Sequence, residues 1–147
     1  MPLAFVKNDR AEIKDDHWGN IISQIVLTDE FTEDAFKGIT DFSHAEIIFY
    51  FDKADKNKIS KGVRHPRDNK DWPLTGVFAH HGKDRPNHIG LCVVEILKCE
   101  GKILFVKGLD AIDGTPVLDI KPVMKEFLPR SEVKQPQWSH ELMKNYW

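Results

Sequence analysis

Long apolar runs are missing from this chain, and none approaches the length of a membrane span. The opening residues, MPLAFVKNDRAEIKDD, lack the basic start and apolar stretch of a signal peptide, so the expected location is cytoplasmic, with no membrane. The two cysteines, Cys92 and Cys99, are too few and too poorly flanked for a disulfide framework or a four-ligand zinc site. No internal repeat and no low-complexity segment is present. No GxGxxG follows a strand and no GxxxxGK[ST] occurs, so Rossmann and P-loop sites have no support. A nucleotide-like cofactor would need a site of another build. With a net charge of -2, nucleic-acid binding would have to come from a local basic patch.

What the chain does have is an ordinary globular composition, 41% apolar and 30% charged over 147 residues, enough for one core. Short β-rich segments recur: Leu3 to Val6, Ile21 to Leu27, Ala45 to Phe51, Thr75 to Ala79, Gly90 to Lys98, Lys102 to Lys107 and Val117 to Lys121. Glu100-Gly101 predicts a hairpin turn between the fifth and sixth of these. Thr32 to Gly38 predicts a capped helical turn ending at glycine. Asp52 to Asp71 predicts a long charged surface loop with one edge strand near Ile59 to Arg64. Near the end, Ser139 is expected to cap a short amphipathic helix, HELMKNYW, with Trp138 packing back on it. Many short strands and few helices predict a mainly β barrel or sandwich. The expected division is a barrel over residues 1–129 and a tail over 130–147.

Two loops carry polar groups suited to chemistry. Gly76 to Gly90 packs His80, His81, Lys83, Arg85 and His88 between two strands. It reads either as a polar connection turned by Pro86-Asn87 or as a presenter of cations and donors to an anionic ligand. Gly108 to Pro122 places Asp110, Asp113 and Asp119 around a tight Gly114-Thr115-Pro116 turn. Asp113 reads as an Asx-type turn capping its own backbone. Asp110 and Asp119 lie beside apolar residues, where an unpaired carboxylate is costly. A lysine or arginine must satisfy them, or they face a ligand cation.

Three blocks, FSHAEIIFYF from Phe42, GVFAHHGKDRPNHIGL from Gly76 and GLDAIDGTPVLDIKP from Gly108, resemble the TsaA-like (YaeB-like) family in order and spacing. The family's blocks read approximately FSHLWVLFVF, GVFATRSxxRPNPIG and LDxxDGTPVxDIKP. RHPR at Arg64 to Arg67 is similar to its Arg-Pro-Pro-Arg stretch. The resemblance implies an antiparallel β-barrel methyltransferase that binds S-adenosylmethionine without a Rossmann fold, commonly as a dimer. Its best-known members methylate threonylcarbamoyl-adenosine beside the tRNA anticodon. By position, the cofactor would lie near Asp52 and Lys53 and touch His81, Leu91 and the backbone of Leu109, Asp110, Ala111 and Ile112. Arg85 matches the arginine of RPN, a structural residue or a tRNA contact. The sequence departs from the family at His81 and His88, which stand for an arginine and a proline. By the resemblance, its N-terminal block is expected as the compressed AEIKDDHWGN, and the tRNA enzymes' further domain as no more than a tail ending in Trp147.

Methyl transfer from a sulfonium needs alignment and a matching field more than a catalytic triad. Asp110 or Asp113 is expected to face the positive sulfur or to help remove a proton from the acceptor nitrogen. If the acceptor is tRNA, Lys58, Lys61, Arg64 and Arg67, with Arg85, are expected to meet phosphates, opposed only by Asp55 within the segment from Lys53 to Arg67. Barrel edges and the aromatics Trp138, Tyr146 and Trp147 predict a homodimer. The rival readings are a small-molecule methyl acceptor, a metal site at His80, His81 and His88, and a non-enzymatic RNA-binding module. Adjacent strand residues point to opposite faces, which argues against His80 and His81 sharing an ion.

Overall fold

The structure is a computed structural model describing all residues, Met1–Trp147. Its strands are β1 (Ala4–Lys7), β2 (Ile22–Leu27), β3 (His44–Tyr50), β4 (Val63–Arg64), β5 (Thr75–Gly76), β6 (Ile89–Glu100), β7 (Ile103–Lys107) and β8 (Pro116–Pro122), followed by one α-helix, α1 (Gln137–Met143). Six of them close into a barrel in the order β1-β2-β7-β6-β3-β8, while β4 and β5 form a separate two-stranded ladder. Every pairing is antiparallel. The expected mainly β architecture, with loop insertions and a short helix near the end, is what forms.

Period-two alternation explains why these segments fold as they do. Ala45, Ile47 and Phe49 of β3 point inward, as do Cys92 and Val94 of β6 and Leu104 and Val106 of β7. With Val6, Ile25, Leu109 and Val117 they make one continuous core. The β6–β7 hairpin turns at Gly101, whose φ of 55° lies in the left-handed region that glycine adopts without strain. Inside the barrel Gly90 sits directly beneath the Phe49 ring, where a side chain of its own would collide.

Local expectations fail at element ends. Thr32 precedes a 3-10 turn, Glu33–Phe36, without a side-chain cap. The Thr75 to Ala79 strand shortens to β5 and passes into a 3-10 turn, Val77–Ala79. The edge strand near Ile59 shrinks to β4. Ser139 lies inside α1, its hydroxyl bonded to Pro136 O at 2.7 Å; Pro136 takes the cap position. Trp138 packs on the loops, with its ring 6.5 Å from that of Trp72 and 6.1 Å from that of His80. These outcomes depend on partners distant in sequence, which local propensity does not register.

Candidate cofactor site

The loop after β7 threads the barrel mouth. Gly108 N donates to Ile21 O at 3.0 Å, Asp113 N to Arg10 O at 2.9 Å and Gly114 N to Val6 O at 2.8 Å. Between these anchors Leu109 and Ala111 are buried in the core. Their side chains are committed to packing, Leu109 being 0% and Ala111 3% exposed. Ala111 O accepts from Asn8 Nδ2 at 2.9 Å.

Asp110 and Asp113 sit in this loop with different partners. Asp113 Oδ1 accepts from the Asn8 backbone N–H at 3.0 Å. It therefore ties the loop to the end of β1 instead of capping its own turn, a long-range bond that spacing does not reveal. Asp110 Oδ2 accepts from the Tyr146 hydroxyl at 2.5 Å, while Asp110 Oδ1 is screened from solvent and has no partner in the protein. Beneath it the Cys92 thiol donates to Gly108 O at 3.2 Å. Burial first, then the Asp110 charge, pushes this thiol well above its usual range. The same two causes raise the Tyr146 phenol, so the proton of the Tyr146–Asp110 bond stays on oxygen Oη. Asp119 has a different answer: Lys121 Nζ lies 3.0 Å away.

Of the residues expected at the cofactor, Lys53 and its neighbour Asp52 come to this loop. Lys53 Nζ reaches Asp113 O at 3.4 Å, bringing the end of β3 and the exposed Asp52 to the same loop. Leu91 lies on the outward face of β6, half exposed beside the inward Cys92. His81 is exposed. Among groups expected to bind phosphate, Lys58 and Lys61 are exposed, but the arginines are already engaged. Arg64 pairs with Asp84 at 3.0 Å and Asp68 at 3.1 Å. Arg67 donates to both carboxylate oxygens of Asp16, at 3.2 and 2.8 Å. Arg85 donates to His80 O at 2.5 Å. Asp55 is thus not the only acid opposing this segment. Loop folding brings Asp16, Asp68 and Asp84 onto it, all three from outside it.

The three histidines of the rival metal reading do not converge. No group of three potential ligands occurs anywhere in the fold. His80 Nε2 is bonded to Thr75 Oγ1 at 2.5 Å. His88 is buried with φ of 51°, its ring 5.9 Å from Tyr50. An apolar hollow lined by Leu3, Leu27, Phe31, Phe36 and Ile120 has Asp119 as its one charged group. It lies at the Ala4 end of β1, away from the loop that joins at Val6 and Asn8, and it lacks the converging polar groups of a cofactor site.

Sequence reasoning missed the contributions of Asn8, Arg10 and Tyr146. Arg10 donates to the carbonyls of His17, Lys14 and Asp16, and its guanidinium lies 3.6 Å above the Trp18 ring. The compressed segment AEIKDDHWGN is thereby an ordered flap. No spacing in the sequence signals that Tyr146 meets Asp110.

The model of the tRNA-methyltransferase O N-terminal domain matches residues 5–127. A probable S-adenosyl-L-methionine-binding protein of Archaeoglobus fulgidus is 41% identical over 108 residues, covering 72% of this chain and 28% of that protein. The human tRNA (adenine(37)-N6)-methyltransferase is 38% identical over 113 residues, 77% of this chain and 25% of the human one. A crystal structure of TrmO from Pseudomonas aeruginosa superposes with a TM-score of 0.74 at 25% identity, covering 93% of this chain and 59% of that one. The chain therefore spans roughly a quarter of these curated relatives and less than two thirds of the solved one. Matched along most of its length and sharing the barrel, the chain belongs to the tRNA-methyltransferase O N-terminal domain family.

Proposed function

We propose that this barrel binds S-adenosylmethionine at the Leu109 to Ile112 loop and transfers its methyl group to a nitrogen of a modified adenosine in tRNA, of the threonylcarbamoyl-adenosine type. The observation that carries this reading is the unpartnered, screened Oδ1 of Asp110. A carboxylate oxygen held there without a donor suits a cationic neighbour, and relatives named for S-adenosylmethionine binding and tRNA methylation support a sulfonium as that neighbour.

When bound, S-adenosylmethionine would supply a methyl group carried on positive sulfur, activated for transfer to a nitrogen. The chain's own part is alignment and field. Leu109 and Ala111, fixed in the core, hold the intervening backbone still. Asp110 places negative charge at the sulfur position. Asp113 and Lys53 brace the loop from either side, with Asp52 next to Lys53. Lys58 and Lys61 are the cations free to meet phosphate, with Arg64, Arg67 and Arg85 shaping the loop that carries them. That internal use of three arginines favours one second reading, a small-molecule methyl acceptor.

The same proposal includes a homodimer. The barrel is closed and leaves no edge strand of its own to pair, and Tyr146 is folded onto its own chain. Support comes instead from the outward face of β6, where Ile89, Leu91 and Val93 are 45%, 52% and 49% exposed. Adjacent exposed apolar residues on one strand suit a second copy.

Calorimetric titration with S-adenosylmethionine and its demethylated product tests the core of the proposal. Asp110→Ala should weaken binding about tenfold or more. Asp29→Ala should not, since Asp29 is exposed and 3.5 Å from Lys102. No heat with either ligand at millimolar concentration removes the reading. Labelled-methyl transfer to tRNA with and without the threonylcarbamoyl group then identifies the acceptor.

A further inference from the structure

Tyr146 makes a contact that packing alone does not explain. Its hydroxyl takes one oxygen of Asp110 at 2.5 Å and leaves the other oxygen screened and unpaired. Asp110 is half-buried between Leu109 and Ala111, whose own side chains are buried in the core. With one oxygen held by the tyrosine, rotation of the carboxylate about its Cβ–Cγ bond is restrained.

The delivery of Tyr146 is equally constrained. His17 N donates to Asn145 O at 2.9 Å and Trp18 N to Tyr146 O at 2.8 Å, a short backbone ladder between the flap and the residues after α1. Trp18 is buried under the Arg10 guanidinium. Gly19 lies against Trp147 so closely that a side chain there would come 2.7 Å from its carbonyl carbon. The Trp147 ring meets the Tyr146 ring edge-on at 4.9 Å. Flap, tryptophans and glycine together set the phenol at one point.

We propose that Tyr146 is a positioning residue of the methyl-transfer site, orienting Asp110 so that its free oxygen faces the reacting groups. The inference rests on the methyltransferase reading above. Under it the hydroxyl never touches donor or acceptor; it acts through the carboxylate. Burial and the neighbouring charge keep the phenol protonated, so it serves as a donor across the working pH range.

Tyr146→Phe in the full chain is the test, because the ring and its contact with Trp147 survive while the hydroxyl is lost. Cofactor affinity, read by calorimetry, should change little, since the Asp110 charge remains. The kcat for methyl transfer to tRNA should fall about tenfold to a hundredfold with KM unchanged, the size of loss that misplacement brings. In an Asp110→Asn background the same change should add nothing further. An equal kcat in Tyr146→Phe overturns the proposal, and so does a higher one, which would make the phenol an obstruction. A wild type that binds no cofactor and transfers no methyl group removes the methyltransferase reading and this proposal with it. A wild type that works alongside an equally active Tyr146→Phe removes this proposal alone.

Discussion

Cys92 and Tyr146 share a neighbour, and that gives the chain a pH dependence with a definite sign. Burial and the Asp110 charge raise both groups. In the unfolded chain the thiol ionises near about pH 8.5 and the phenol near about pH 10. The folded chain keeps both protons there, so it binds more protons than the unfolded one, and stability falls as pH rises. What the pair contributes is fully present below about pH 8.5 and is lost above it. Denaturant titrations should show a decline of up to about 1.4 kcal/mol per pH unit for the buried thiol, and less for the phenol. Cys92→Ala should flatten the first part of that decline and Tyr146→Phe the part beyond about pH 10. A flat profile from pH 7 into the alkaline range would contradict this account.

Among the elements, the basic loop shows how charge counted along a chain differs from charge in a fold. Arg64 and Arg67 are neutralised by Asp84, Asp68 and Asp16, whereas Lys58 and Lys61 stay exposed. Reversing the two lysines to glutamate should lower tRNA affinity and flatten its salt dependence, with cofactor affinity unchanged. Arg64→Ala should instead cost about 1–3 kcal/mol of stability by stranding Asp84, a loss readable by thermal melting. If the lysine reversals leave tRNA binding intact, the loop is no phosphate contact.

The strands were legible from sequence because alternation is a local signal: Ala45, Ile47 and Phe49 announce β3 without any partner. The three blocks of the family resemblance marked the Leu109 to Ile112 loop and the Gly76 to Gly90 loop. What stayed hidden was every contact made across the chain. Asp113 to Asn8 spans 105 positions and Tyr146 to Asp110 spans 36, and no periodicity encodes them. Trp138 and Ser139 were misplaced for the same reason, since the loops carrying Trp72 and His80 decide where that tryptophan packs.

For the whole molecule, the outward apolar residues of β6 predict self-association. Val93→Lys should shift sedimentation at high micromolar concentration from dimer to monomer and leave the melting temperature within a few degrees, because Val93 contributes nothing to the barrel interior. A wild type that sediments as a monomer at that concentration would end the dimer proposal. The barrel seam has a further consequence, in time instead of in space. β1 and β8 meet at only two register positions, Ala4 with Val117 and Phe5 with Pro116, while β3 and β6 meet at seven. The two seam strands also lie roughly a hundred residues apart, so closing them carries the largest loop entropy in the fold. The seam should therefore form last and part first. Amide exchange at Leu3 and Val6, which bond Val117 O and Thr115 O across it, should outrun exchange at Ile47. Because Thr115 continues directly from the Asp110 loop, each brief parting would loosen that loop as well, and the rate of seam opening would set how often the site relaxes.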